Sequence, residues 1–255
     1  MEKITRKSLL YKSGVKYSDY CINHVQGCAH GCKFPCYALK MSKVFGTVKS
    51  YKDWIKPKLV ENALELLDKE IPKHKSKINF VHLCFSTDPF MFNYSEVSNM
   101  SLKIIEKLNS NSIKCTSLSK GIYPEELTDK SRFGSDNEYG ITIVSLNENF
   151  RKKWEPFAST YKERISSLKR LSDAGLKTWA SIEPYPTPNI IEQSLEEIAN
   201  QVSFVNKIVF GRWNYQKQIS QFKGYKQFYK DCMDFLDNFC KDNGKEVCIN
   251  RPENI

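Results

Sequence analysis

Apolar and polar residues along this chain switch between two spacings. The run Ile78-Asn-Phe-Val-His-Leu-Cys-Phe85 is short and mostly apolar, and it is closed by the turn-forming Ser86-Thr-Asp-Pro89. That is the pattern of a buried strand. Met100, Ile104, Ile105 and Leu108 then recur every three or four residues, which predicts a helix over about 97–108. The pairing repeats. Residues 113–118 read as a strand ending at Ser119-Lys-Gly121, followed by a short helix near Pro124, where proline suits a first turn. Residues 140–146 read as a strand. Residues 161–174 read as a helix with Ile165, Leu168 and Leu171 on one face and Gly175 closing it. A strand over 176–182 ends at Glu183-Pro184, a helix covers 190–199, and a strand over 205–210 ends at Gly211-Arg-Trp213. A last long helix is expected over 218–243, its stripe from Ile219 to Phe239 serving as core.

Strands alternating with helices are joined by crossovers and lie parallel. With a first strand just before Cys28, six units make an α/β fold, a partial (β/α)6 TIM-like barrel. Chemistry in such folds gathers at the carboxyl ends of the strands. The polar residues there are Ser86, Thr87, Asp88, Ser119, Lys120, Ser145, Asn147, Glu183, Arg212 and Asn214, all expected to face one mouth. The chain is read as one domain over 1–255, with its core over about 18–215 and a C-terminal helix and tail over 216–255.

Composition supports this. The 255 residues are 40% hydrophobic, enough for one large core. No window of about 18 apolar residues occurs, so no membrane span is expected. The charged N-terminus lacks a signal-peptide pattern, so a cytoplasmic location is expected. The formal charge is +10, mostly from lysine. It is read as spread along the whole chain, and a positive field favours anionic partners.

Nine cysteines, an odd number in a chain without a secretion signal, point to metal binding or free thiols rather than disulfides. Cys21, Cys84, Cys115, Cys232, Cys240 and Cys248 read as small apolar residues of the core. Cys28, Cys32 and Cys36 lie within nine residues. Three arrangements compete for them. They could hold an iron–sulfur cluster with one iron open, or a zinc completed by Cys21, His24 or His30, or they could be plain packing. Gaps of three and three residues, with no second pair of cysteines, favour the cluster over zinc. Gly27 and Gly31 let the loop turn tightly, and His24 and His30 are candidate donors to cluster sulfurs.

The loop Gly27-Cys-Ala-His-Gly-Cys-Lys-Phe-Pro-Cys-Tyr-Ala38 resembles that of radical S-adenosylmethionine (radical SAM) enzymes, in particular the spore photoproduct lyase-like branch. Further landmarks match in order: Ser86-Thr-Asp-Pro-Phe90, Leu118-Ser-Lys120, Ile143-Val-Ser-Leu146, Glu155-Pro156, Arg164-Ile165, Ala174-Gly175 and Ile182-Glu-Pro184. The resemblance covers roughly residues 20 to 215. One departure stands out. The family spaces its cysteines by three and then two residues, whereas here the second gap is Lys33-Phe-Pro35.

The resemblance implies that Cys28, Cys32 and Cys36 hold a [4Fe-4S] cluster whose fourth iron is chelated by S-adenosylmethionine. Reductive cleavage would then give a 5′-deoxyadenosyl radical that abstracts hydrogen from substrate. By position, the S-adenosylmethionine contacts would be Phe34, Tyr37, Ser86, Asp88, Lys120, Ser145 and Glu183, with Arg212 and Trp213 near substrate or adenosine. An electron donor such as flavodoxin or ferredoxin is implied, and the substrate would be a nucleotide, a nucleic acid or a small metabolite. The lyase's hydrogen-donor cysteine falls at Phe85 here, one residue after Cys84, so photoproduct repair is not expected. The rival readings are a zinc-containing nucleic-acid-binding protein without catalysis, and a simple electron carrier.

Overall fold

The computed structural model describes residues 1–14, 18–214 and 216–249. In chain order the strands are β1 (Glu2–Ile4), β2 (Leu10–Lys12), β3 (Tyr20–Ile22), β4 (Val25–Gln26), β5 (Lys58–Val60), β6 (Phe80–Leu83), β7 (Lys114–Ser119), β8 (Glu138–Thr142), β9 (Lys177–Tyr185), β10 (Lys207–Arg212) and β11 (Glu246–Ile249). The main sheet has eight strands in the order β11-β10-β9-β8-β7-β6-β3-β2. Every neighbouring pair from β3 to β11 is parallel, and β2 closes one edge antiparallel to β3. The two edge strands are not paired with each other, so this is the partial, open α/β barrel expected. A small sheet, β1-β5-β4, takes β4 and β5 from the long crossover between β3 and β6 and β1 from the first residues of the chain.

Local chemistry explains the helices. The helix Ser95–Ser110 buries Val97, Ser101, Ile104, Ile105 and Leu108 at three- and four-residue spacing. Tyr161–Asp173 opens with a capping box between Thr160 and Glu163, and Gly175 follows it at φ +76°. Asn147 and Ser194 cap the helices Glu148–Trp154 and Leu195–Gln201 through their side-chain oxygens. The main apolar core runs from Leu9 to Cys240, and a smaller cluster of Val25, Ala29, Leu59, Cys84, Met91 and Val97 packs beside Cys28.

The structure corrects several boundaries. The long C-terminal helix is two pieces, Lys217–Gln221 and Tyr225–Asp242, broken where Gly224 turns left-handed at φ +84°. The strand expected over 140–146 spans Glu138–Thr142, and the helix expected over 190–199 starts at Leu195. A seventh parallel strand, β11, was not foreseen. It is a half-buried edge whose four residues carry no clear alternation. Among the described residues, no helix is long and apolar enough to cross a membrane.

Candidate active site

The cysteine loop leaves the barrel right after β3. Cys28 is tied to the neighbouring helix Tyr51–Trp54 by its backbone N–H, which donates to the Trp54 carbonyl at 2.9 Å. Cys32 follows at the Gly31 turn, and Cys36 precedes the helix Tyr37–Val44. All three thiols line one cavity of about 390 Å³ at the carboxyl ends of the strands. Burial pushes the Cys28 thiol well up, and pushes Cys32 to about 11 despite the nearby Lys120 ammonium. Metal coordination would strip these protons.

His30 fixes the loop to the barrel. Its Nε2 accepts the Phe92 N–H at 2.9 Å, so its one proton sits on Nδ1, which faces Asp88 Oδ2 at 3.4 Å. Burial holds the ring down to about 4, neutral at physiological pH. Asp88 also accepts the Phe90 N–H (2.9 Å), the Ser119 hydroxyl (2.8 Å) and the Lys120 N–H (2.7 Å). Its carboxylate therefore stitches together the cysteine loop, the loop after β6 and the end of β7. The last two pass so closely that a Cβ on Gly121 would lie 1.7 Å from the Phe90 carbonyl oxygen.

Beside Cys32 lies a chain of charges. Lys120 Nζ donates to Cys32 Sγ at 3.4 Å and pairs with Glu155 Oε1 at 2.8 Å. Glu155 Oε2 pairs with Arg164 Nη2 at 2.7 Å, and both residues are wholly buried. Arg164 also donates to the carbonyls of Thr142 and Ser159. Burial alone would raise the Glu155 carboxyl, but the two cations outweigh it and hold it down at about 2. Burial works against the charged Lys120 amine, yet the Cys32 thiolate and Glu155 together push it above its usual range.

Of the residues proposed for S-adenosylmethionine, Tyr37, Ser86, Asp88, Lys120 and Glu183 line the cavity of the thiols. Ser86 is held by Asn23 Oδ1, which accepts both its N–H and its hydroxyl. Glu183 is half-buried, and a Cβ on the adjacent Gly211 would come within 2.3 Å of its Cδ. Phe34 lines a second cavity of about 290 Å³ that shares Cys32, Cys36, Tyr37, Lys120 and Glu183 with the first. Its ring packs against Trp154 (5.6 Å, stacked) and Trp213 (4.7 Å, edge-on), which also touch each other at 4.8 Å. Ser145 is not brought to either cavity. It is fully buried and accepts the Asn147 N–H. Arg212 and Trp213 line the second cavity, with Arg212 donating to Asn214. His24 faces Ser101 and Cys84, away from the trio. Cys84, Cys115, Cys232 and Cys240 are buried, whereas Cys21 and Cys248 are only half-buried.

Sequence reasoning missed His82, Thr142 and Ser181, which also line the main cavity. The signal was partial: His82 is the one polar residue of β6 and Ser181 stands between Ala180 and Ile182, whereas Thr142 ends a strand that also carries Glu138.

The sequence matches the radical SAM superfamily over residues 22–202. The chain belongs to that superfamily. An uncharacterized protein of Methanocaldococcus jannaschii is 29% identical over 238 residues, which is 92% of this chain and 86% of that one. An uncharacterized protein of Acidianus two-tailed virus is 25% identical over 72% of this chain and 62% of its own. Among solved structures, a spore photoproduct lyase with bound S-adenosylmethionine and a dinucleoside spore photoproduct aligns with TM-score 0.69 at 15% identity. That alignment covers 97% of this chain and 80% of the lyase. A radical SAM methyltransferase of Kitasatospora setae aligns with TM-score 0.52 at 13% identity, over 75% of this chain and 35% of its own.

The cofactors of a radical SAM protein are a [4Fe-4S] cluster and S-adenosylmethionine, and the donor set fits them. The three thiols share one cavity, with the Lys120 ammonium beside Cys32 and polar strand ends in the same wall, a donor set of three cysteines such as a cluster takes.

Proposed function

We propose that this protein is a radical SAM enzyme that abstracts a hydrogen atom from an organic substrate, with a nucleotide or nucleic acid as the favoured class. One observation carries the reading: three thiols share the wall of a cavity with polar strand ends from β6, β7 and β9. Cys28, Cys32 and Cys36 would hold the cluster, leaving one iron for S-adenosylmethionine. Together, when bound and reduced, these groups supply a 5′-deoxyadenosyl radical.

The chain's own residues do the rest. Lys120 offsets the negative charge at Cys32 while Glu155 and Arg164 fix its side chain. His30 and Asp88 hold the loop in register with β6 and β7. Tyr37 and Glu183, on walls shared by both cavities, would contact the adenosine, and Ser86 the methionyl group. An electron donor such as flavodoxin or ferredoxin would supply the electron.

The test is anaerobic purification followed by iron, sulfide and zinc analysis, then incubation with dithionite and S-adenosylmethionine. Brown protein with iron, inorganic sulfide and release of 5′-deoxyadenosine and methionine is expected. Zinc bound by four protein ligands, without sulfide, would overturn the reading.

A further inference from the structure

The positive charge is not spread evenly, as composition suggested. Between Gln26 and Lys58 there are seven lysines and one acid, Asp53, so this segment alone carries more than half of the net +10. The fold wraps the segment around the mouth of the barrel. Its helix Tyr37–Val44 buries no side chain at all. Tyr37, Val44 and Phe45 are 60–71% exposed there, and Phe85 stands 38% exposed nearby. Solvated apolar and aromatic side chains among lysines are unusual unless something covers them.

The cavities around this segment form a connected series. One of about 290 Å³ has Lys49, Lys56 and Lys58 in its wall, against Glu2 and Asp53, so its excess of charge is positive. It shares Gln26 and Thr47 with a groove of about 260 Å³ lined by Arg6, Tyr37, Phe45 and Phe85. That groove in turn shares Tyr37, Phe85, Ser86 and Thr87 with the cavity of the thiols. Cationic wall, aromatic groove and reactive cavity thus follow one another along a single path.

We infer that this path binds a single-stranded nucleic acid. Lys49 and Lys56 neutralise backbone phosphates, Phe45 and Phe85 stack on bases, and one nucleotide is led toward the thiols. Lys58 contributes less, because it pairs with Glu2 at 2.6 Å. An acidic electron carrier would satisfy the lysines, but it needs only a face near the cluster. It gives no reason for exposed rings lining a groove that opens into the reaction cavity. The assignment rests on the radical SAM reading for the destination of the strand, whereas binding itself is independent of turnover.

The experiment measures fluorescence polarisation of a labelled 12-nucleotide single strand with the anaerobic holoprotein, without S-adenosylmethionine or reductant. Iron and sulfide are assayed on the same samples. Expected is binding that weakens with salt at a log–log slope of about −1.4, as for two phosphate contacts on a single strand. Lys49→Glu with Lys56→Glu should weaken it at least tenfold and flatten that slope. Phe45→Ala, at an exposed position that folding does not depend on, should weaken it about tenfold. Lys241→Glu, on the far C-terminal helix, should have little effect. Absence of binding at low salt, or equal loss from Lys241→Glu, overturns the inference. So does a lysine pair that impairs reduction by an acidic electron carrier while leaving oligonucleotide affinity unchanged. None of these results bears on whether S-adenosylmethionine is cleaved.

Discussion

Glu155 lies 35 residues beyond Lys120 in the chain, yet its Oε1 stands 2.8 Å from the Lys120 ammonium, inside the protein. The same carboxylate holds Arg164 at 2.7 Å. One anion thus serves two buried cations, one of which reaches Cys32. Two positive charges in this interior would be untenable without it.

Replacing Glu155 by Gln should therefore destabilise the protein by about 3–5 kcal/mol, the usual cost of breaking a buried pair. Urea unfolding at neutral pH reads this directly. A loss under 1 kcal/mol would mean that the pair is idle.

Acid should erase the difference. The folded carboxyl of Glu155 is held at about 2, below its unfolded range near 4.3. Its contribution is thus fully present above about pH 4.3 and is lost as pH falls toward 2. The gap between wild type and Glu155→Gln should shrink steadily over that window. A gap that widens in acid would contradict the assignment.

His30→Ala removes the acceptor of the Phe92 N–H and leaves a face of Asp88 open. The half-buried Phe92 amide left without its acceptor costs about 1 kcal/mol, the low end of the range for a buried group. The freed loop should retain less than half the iron and sulfide of wild type after reconstitution. Retention of full cluster content would show that the loop holds its shape without His30.

Gly211→Ala places a methyl group where Glu183 now lies, 2.3 Å from Cδ. The Glu183 side chain must move off the cavity wall. With Glu183 at the cofactor, S-adenosylmethionine cleavage should fall by about 10–100-fold, the scale of a 1 Å misplacement. Thermal unfolding should change by much less than for Glu155→Gln. Normal cleavage by a folded Gly211→Ala protein would remove Glu183 from the site.

Cys32→Ala should abolish both cluster and cleavage. Cys240→Ala, in the core between the last helix and the sheet, should keep both at a cost of about 1 kcal/mol. Equal loss from the two would show that iron content reports folding rather than ligation.

The cysteine triplet, the alternation of buried strands with amphipathic helices, and the polar residues closing each strand were all legible from the chain itself. These are local properties, because strand burial and helix faces follow from which side chains lie within a few positions of one another. The contents of the cavity were legible only in part. Lys120 and Asp88 announced themselves by standing after strands. Ser145 did so equally, but β8 stops at Thr142 and Ser145 is turned inward to cap Asn147. Glu155 offered only a Glu-Pro pair in a loop. His82 and Ser181 were single polar residues in apolar runs.

What the sequence by itself determined was the order of elements and the loop that carries three thiols. What only the tertiary structure decided was who meets whom: Glu155 with Lys120, Gly211 with Glu183, and the cavity of Lys49 and Lys56 with the groove of Phe45 and Phe85 through Gln26 and Thr47. Parallel strands are joined by long crossovers, so side chains that touch at one end of the sheet come from positions tens of residues apart. Pairing and register, set by the whole core, decide those contacts, and no local pattern encodes them.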